Sequence, residues 1–432
     1  MYGVIVFYTQ EVSIFSVTLS TVNGTKAFFL ICALMLFSFA HASTLNVGVI
    51  HDNVGERENF AIIKEAFETA HPEIKLNISG YYSNTYKTLV KTWLETQTGP
   101  DVLYWYGSER LKHFARTHSL ESLQDIWEQN GSDGFFSSET KAMLSVDDVP
   151  YAVPISYYPW TFFYNAEVFE QLGLSPPQTW EAFLNTCERL KQANIIPINI
   201  GYKAAWPLGA WFDYLNVRLN GAAFHRQLLQ GSISFTHEKV RDVFVKWKYL
   251  IDQGYFLKDG MSFDWHQPMP LMYRGLTGMT LAGQFLSPRI PAQIRHRIKM
   301  FSFPVISSAS GNAVIAPSDV FMLRKGSTQQ EAAKAFLTYL TTHAVQVAYN
   351  EQAGGYSPRN DVLVNKNYFV ETGQRILREA DTLVPFFDRL APEAFSTPAM
   401  AVMSAFMQQP DIDIALDKLE TLRRKHLVLD EH

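Results

Sequence analysis

Apolar and polar positions along this chain alternate at two periods, and the switches between them mark out its elements. Leu45, Val47 and Val49 alternate with polar or small residues, the two-residue period of a strand. The polar stretch 51–58 follows, and Phe60, Ile63 and Phe67 then recur at helical spacing until His71-Pro72 ends the run. Ile74, Leu76 and Ile78 alternate again, and a second helix carries Tyr86, Leu89, Val90, Trp93 and Leu94 on one side. Gly99-Pro100 is a turn signal, and 101–106 reads as a third strand. Strands separated by helices predict an α/β fold with an open parallel sheet. Ligands on such sheets sit beyond the carboxyl ends of the strands, here the segments 51–58, 80–84 and 105–108. Glu58 and Trp105 lie in these segments and are candidate ligand contacts.

The pattern breaks at 151–165, which holds Pro154, Pro159 and the tyrosines 151, 157, 158 and 164. Proline fixes φ and lacks a donor, so two of them suit a stiff crossover between lobes better than a central strand. Aromatics just past a crossover suit a cleft wall, which makes Tyr157 and Tyr158 candidates. Strand and helix then alternate a second time. Thr179 is a good N-cap for a helix over 180–193 that turns Phe183, Cys187 and Leu190 inward. A strand is expected over 195–200 and an amphipathic helix over 240–254, with Trp247 in the core. The basic run 289–299 reads as a solvated face. A strand over 320–323, a Lys-Gly-Ser-Thr turn and a further helix lead back towards the first lobe. The remainder is helical and punctuated by proline.

Composition narrows the function classes. With 432 residues, 47% hydrophobic and 18% charged, the chain can build more than one core. A net charge of -5 gives no basic footprint for nucleic acid. Lys26, a short apolar run and Ala40-His41-Ala42 form a secretory signal cleaved after Ala42, so an exported protein is expected. The run is short for a membrane span, and Cys32 inside it lacks the setting of a lipid-attachment site. The segment before it has no cation, and a start at Val22 would open a more compact signal. Past Ala42 the only cysteine is Cys187, so stability rests on core packing without a disulfide.

Chemistry is sparse. No phosphate-binding glycine loop, zinc-type His/Cys motif or nucleophile elbow is present, and no cofactor or metal is expected. Asp147 and Asp148 are adjacent and would face opposite ways on a strand, a poor arrangement for the paired carboxylates of a glycosidase. Aromatic and acidic residues do gather at 201–221, with Trp206 in a turn before Pro207 and Trp211 beside Asp213. A pyranose needs an aromatic plane for its C–H face and acceptors for its hydroxyls, so all three are sugar-contact candidates. Each could equally be core.

The run of Tyr164-Asn165, Phe169, Gly173-Leu174, Pro177, Thr179-Trp180 and Phe183, together with the strand-helix order before it, resembles the extracellular solute-binding proteins of bacterial ABC importers. The likeness is to the carbohydrate-binding family that includes maltose-binding protein, and it extends over the chain beyond Ala42. It implies a two-lobed periplasmic-binding-protein-like fold with hinge crossovers and a ligand cleft between the lobes. The lobes would comprise 43–153 with 305–360 and 154–304 with 361–432, after an extension and signal over 1–42. It also implies that the loop bearing Trp265, the polar Gln284 after its glycine, the turn at Asp319 and the Gly-Gly-Tyr turn at Tyr356 reach the ligand. The implied function is capture of a mono- or oligosaccharide by a periplasmic monomer without catalysis, and its delivery to membrane permease subunits. A secreted carbohydrate-active enzyme, a sugar-binding protein feeding a sensor, and a ferric-ion binder using Tyr157-Tyr158 remain as alternatives.

Overall fold

The computed structural model describes residues 43–51, 54–129, 132–362 and 367–427. The signal segment, its Ala42 cleavage site and the start at Val22 lie outside them. Two sheets, each with its own apolar core, organise the described chain. It opens with β1 (Ser43–Ile50), α1 (Val54–Ala70), β2 (Ile74–Tyr81), α2 (Ser83–Thr96), β3 (Val102–Tyr106) and α3 (Glu109–Arg116). β1 pairs in parallel with β2 on one side and β3 on the other, as the alternation predicts. Leu45, Val47 and Val49 are buried on one face of β1, whereas all of β3 is buried because the sheet is covered on both sides there.

Strand β4 (Ala152–Tyr157) closes this sheet, and the chain then crosses at Tyr158-Pro159 into β5 (Trp160–Asn165). The lobe boundary expected between 153 and 154 therefore falls inside a strand. Pro154 is tolerated because β4 is the sheet's edge strand and the register shifts opposite it. The second sheet is completed by β6 (Ile196–Ile198), β7 (Thr277–Gly283) and β8 (Ile298–Phe301), in the order β8-β5-β7-β6. Its helices include α4 (Trp180–Gln192), α5 (Pro207–Leu229) and α6 (Glu238–Asp252). Thr179 Oγ1 accepts from Ala182 N at 3.2 Å, the cap that the sequence predicts. Cys187 and Trp247 are buried in this core.

The return comes later than expected. Val305 accepts a hydrogen bond from Trp180 N, and β9 (Ala313–Ile315) packs in the second core, so 305–315 do not belong with the first sheet. The chain crosses back at Ala316-Pro317 into β10 (Ser318–Leu323), which inserts antiparallel between β3 and β4. The first sheet thus runs β2-β1-β3-β10-β4. Asp319 lies within β10 at its register shift, not before the strand. Helices α7 (Gln330–Leu340) and α8 (His343–Ala353) pack on the first sheet. α9 (Tyr368–Arg378) returns to the second, where Phe369 meets Phe163. β11 (Thr382–Val384) pairs with β9, and α10 (Phe387–Leu390), α11 (Glu393–Gln408) and α12 (Ile412–His426) finish the second lobe. The crossing segments are tied together: Tyr158 N donates to Pro317 O, and Tyr157 and Tyr356 exchange backbone bonds of 2.9 and 2.8 Å.

Candidate functional site

Between the sheets lies a cleft of two adjoining compartments of about 570 and 520 Å³, each within the range of small-molecule sites. Tyr104, Tyr158, Phe285 and Asp319 line both. The first sheet contributes the carboxyl ends of its parallel strands, as open sheets do, with Ile50 from β1 and Tyr104 and Tyr106 from β3; Asp319 joins them from the amino end of the antiparallel β10. Lys87 and the exposed Tyr82 also line the cleft.

The second lobe presents an aromatic wall. Trp160 stacks on Phe386 with ring centres 4.9 Å apart, and Trp206 meets Trp160 edge-on at 5.7 Å. Trp265 packs against Phe285 at 5.2 Å and Trp206 at 6.1 Å, and the Arg289 guanidinium lies 5.0 Å over the Trp265 ring. The loop holding Trp265 is pressed on Gly201, where a β-carbon would come within 2.4 Å of the Asp264 carbonyl oxygen.

Facing this wall is a network of charges that crosses between lobes. Arg389, on α10 of the second lobe, donates to Asp319 Oδ1 at 3.0 Å and to the Tyr158 hydroxyl at 3.2 Å, and lies 4.0 Å over the Tyr106 ring. Its neighbour Asp388 takes Arg110 of α3 at 3.2 Å and Lys87 of α2 at 3.8 Å. Burial raises the pKa of Asp319, and Arg389 opposes that rise. Burial also works to raise Asp388, but Arg110, Lys87 and Arg389 outweigh it and hold the carboxyl below its usual range. The Tyr104, Tyr106 and Tyr158 phenols are pushed well up by burial, so they stay protonated and can donate. Three cations thus stand against two carboxylates, and with the tyrosine hydroxyls they give the middle of the cleft fixed polar donors and acceptors.

The structure sorts the residues singled out in the sequence. Tyr158, Trp206, Trp265 and Asp319 line the cleft, and Glu58 lies with Asn59 and Gln352 in the second compartment. Trp105 does not line it: the side chain is fully buried, its ring packed on Tyr106 at 5.2 Å and Phe114 at 5.6 Å. Trp211 is core, packed on Phe162, Phe256 and Phe303. Asp213 is fully buried behind the aromatic wall, where Oδ2 accepts from Phe387 N at 2.7 Å. Gln284 and Tyr356 are also removed from the cleft. Gln284 Nε2 donates to the Tyr356 hydroxyl at 2.6 Å, and that hydroxyl donates to Val370 O, an inter-segment tie near the crossings. Tyr157 packs on Tyr356 at 5.8 Å, so it does not converge with Tyr158 as an iron pair would require. Among the described residues no His, Cys, Asp and Glu cluster could hold a metal ion.

Several cleft residues were not anticipated. Tyr104 and Tyr106 flank Trp105 on β3. Trp160 and Phe285 sit next to residues that were considered, Pro159 and Gln284. Phe386, Asp388 and Arg389 lie at the start of a single helical turn, too short to show a period.

The comparisons agree with this architecture. Residues 56–347 match the family profile of the bacterial extracellular solute-binding proteins. An ABC transporter extracellular-binding protein of Pyrococcus horikoshii is 23% identical, over 87% of this chain and 86% of its own. A multiple sugar-binding protein of Streptococcus mutans is 22% identical, over 71% and 73% respectively. The solved bacterial solute receptor AcbH, described as preferring β-D-galactopyranose, superposes with a TM-score of 0.85 at 23% identity, covering 90% of this chain and 100% of its own.

Proposed function

As the chain belongs to the bacterial extracellular solute-binding proteins, we propose that it captures a mono- or oligosaccharide between its lobes and delivers it to the permease of an ABC importer. The observation that carries this reading is the aromatic wall of Trp160, Trp206, Trp265 and Phe285 set against the hydroxyls and charges of Tyr158, Asp319 and Arg389. A pyranose has an apolar C–H face and a rim of hydroxyls, so it stacks on the rings while its hydroxyls exchange water for fixed partners. The sugar relatives named above support the same class.

The mechanism is hinge closure. The crossings at 158–159 and 316–317 and the Tyr157–Tyr356 ties are the hinge, and the lobes divide there, 43–157 with 318–359 against 158–317 with 368–427. The protein acts as a monomer, without catalysis, in the periplasm after cleavage at Ala42. The test is thermal melting of the protein from Ser43 onward against neutral sugars, uronates, amino acids and ferric salts. A ligand at about 100 times its dissociation constant adds roughly 2.7 kcal/mol, a readable shift. A shift confined to sugars is expected. A shift with ferric salts alone, or release of cleaved product during incubation, would overturn the reading.

A further inference from the structure

We propose that Asp213, although it never meets the ligand, is the positioning residue that fixes the segment 386–389 and thereby the affinity of the cleft; this rests on the glycan-binding reading above. Three successive contributions to the cleft come from that segment. Phe386 stacks on Trp160, Asp388 takes Arg110 and Lys87 from the other lobe, and Arg389 takes Asp319 and Tyr158. The segment is a single helical turn, too short to hold itself, and its leading residue offers no side-chain cap. What holds its first N–H is the Asp213 carboxylate, at 2.7 Å from Phe387 N.

The site behind that bond is built. Asp213, Asn216 and His225 are all fully buried. His225 Nε2 lies 3.2 Å from Asp213 Oδ1, off the line of a good hydrogen bond, and Asn216 Nδ2 lies 2.9 Å from His225 Nδ1. Residues 213 and 225 would be about 18 Å apart along an unbroken helix. They meet because α5 breaks at Gly221, whose φ of 84° turns the second half back on the first. A buried carboxylate with a kinked helix folded round it is costly unless it is used. Its use here is a charged hydrogen bond, stronger than a neutral one, to the backbone that carries Phe386, Asp388 and Arg389. Burial raises the pKa of Asp213 to about 6, against the pull of His225 and Phe387 N and with some help from Asp388, so the carboxylate is charged at neutral pH.

The test compares Asp213→Leu, which removes the acceptor, with Asp213→Asn, which keeps an oxygen in place. A control, Trp247→Phe, sits in the same core away from 386–389. Calorimetric titration with the glycan found by melting should show Asp213→Leu losing about tenfold or more in affinity, and Asp213→Asn within about threefold of the parent. Trp247→Phe should lower the melting temperature without moving affinity. Crystal structures without ligand should show the 3.0 Å Arg389–Asp319 contact broken in Asp213→Leu and kept in Asp213→Asn. If Asp213→Leu fails to fold, Asp213→Leu with His225→Met removes the buried pair together and takes its place. Parental affinity in the leucine variant, an equal loss in the asparagine variant, or an intact Arg389–Asp319 contact without Asp213 would overturn the proposal. The structural readout decides it even for a protein that binds no glycan, so the two readings fail separately.

Discussion

Tryptophans that look alike in the sequence have different jobs. Trp206 and Trp265 are half-buried on the cleft, so Trp206→Ala and Trp265→Ala should each weaken glycan binding by roughly 1.5–3 kcal/mol, with little change in melting. Trp211→Ala should instead cost about 3–5 kcal/mol of stability by opening a cavity among three phenylalanines. Titration calorimetry and urea denaturation on the three variants separate the outcomes. The sequence could not make this distinction, because 207–218 is buried nearly all round and has no polar face to orient it. Asp213 misleads for the same reason: beside Trp211 it reads as a sugar acceptor, yet both turn inward. Its pKa makes a second prediction. Folding raises it from the ordinary 3.8 to about 6, so the folded chain keeps a proton that the unfolded chain releases between those values. That contribution is full below pH 3.8 and is lost as pH rises through about 6. The stability of Asp213→Asn relative to the parent should therefore rise between pH 4 and 7, by on the order of 3 kcal/mol. Urea titrations of both proteins at pH 4, 5.5 and 7 check the sign, and a flat difference would remove the buried-carboxylate account.

Elements with a clean period were legible, and the way they join was not. β1, α1, β2, α2 and β3 follow from alternation and helical spacing, and α4 from its threonine cap. The place of β10 between β3 and β4 depends on strands distant in sequence, which no local pattern specifies. The segment 386–389 is missed because one helical turn has no period to detect. Loop placement is legible only through its packing partner. Gly201 lies against the backbone of the Asp264–Trp265 loop, so Gly201→Ala would push a β-carbon to 2.4 Å from Asp264 O and shift the loop. The expected result is a loss of affinity of about tenfold with the second core still folded, read by titration and near-ultraviolet circular dichroism. Unchanged affinity would mean that the Trp265 loop does not set the ligand's position.

At the scale of the molecule, the lobes are joined by charge as well as by chain. Arg110 and Lys87 of the first lobe hold Asp388 of the second, and Arg389 of the second holds Asp319 of the first. Removing one partner of a buried pair costs roughly 3–5 kcal/mol. Arg110→Met should thus loosen the ligand-free protein, seen as a larger radius of gyration in small-angle scattering, and saturating ligand should restore it. An unchanged radius would assign the lobe spacing to the crossings alone. The strand order of the first sheet carries a different consequence, one of timing. β10 lies between β3 and β4 but is synthesised long after both. Until residue 323 has emerged from the ribosome, β3 and β4 lack the strand that joins them and the first sheet cannot close. The first lobe is therefore completed only after every strand of the second sheet has been made, so the lobe that begins the chain is the later of the two to close.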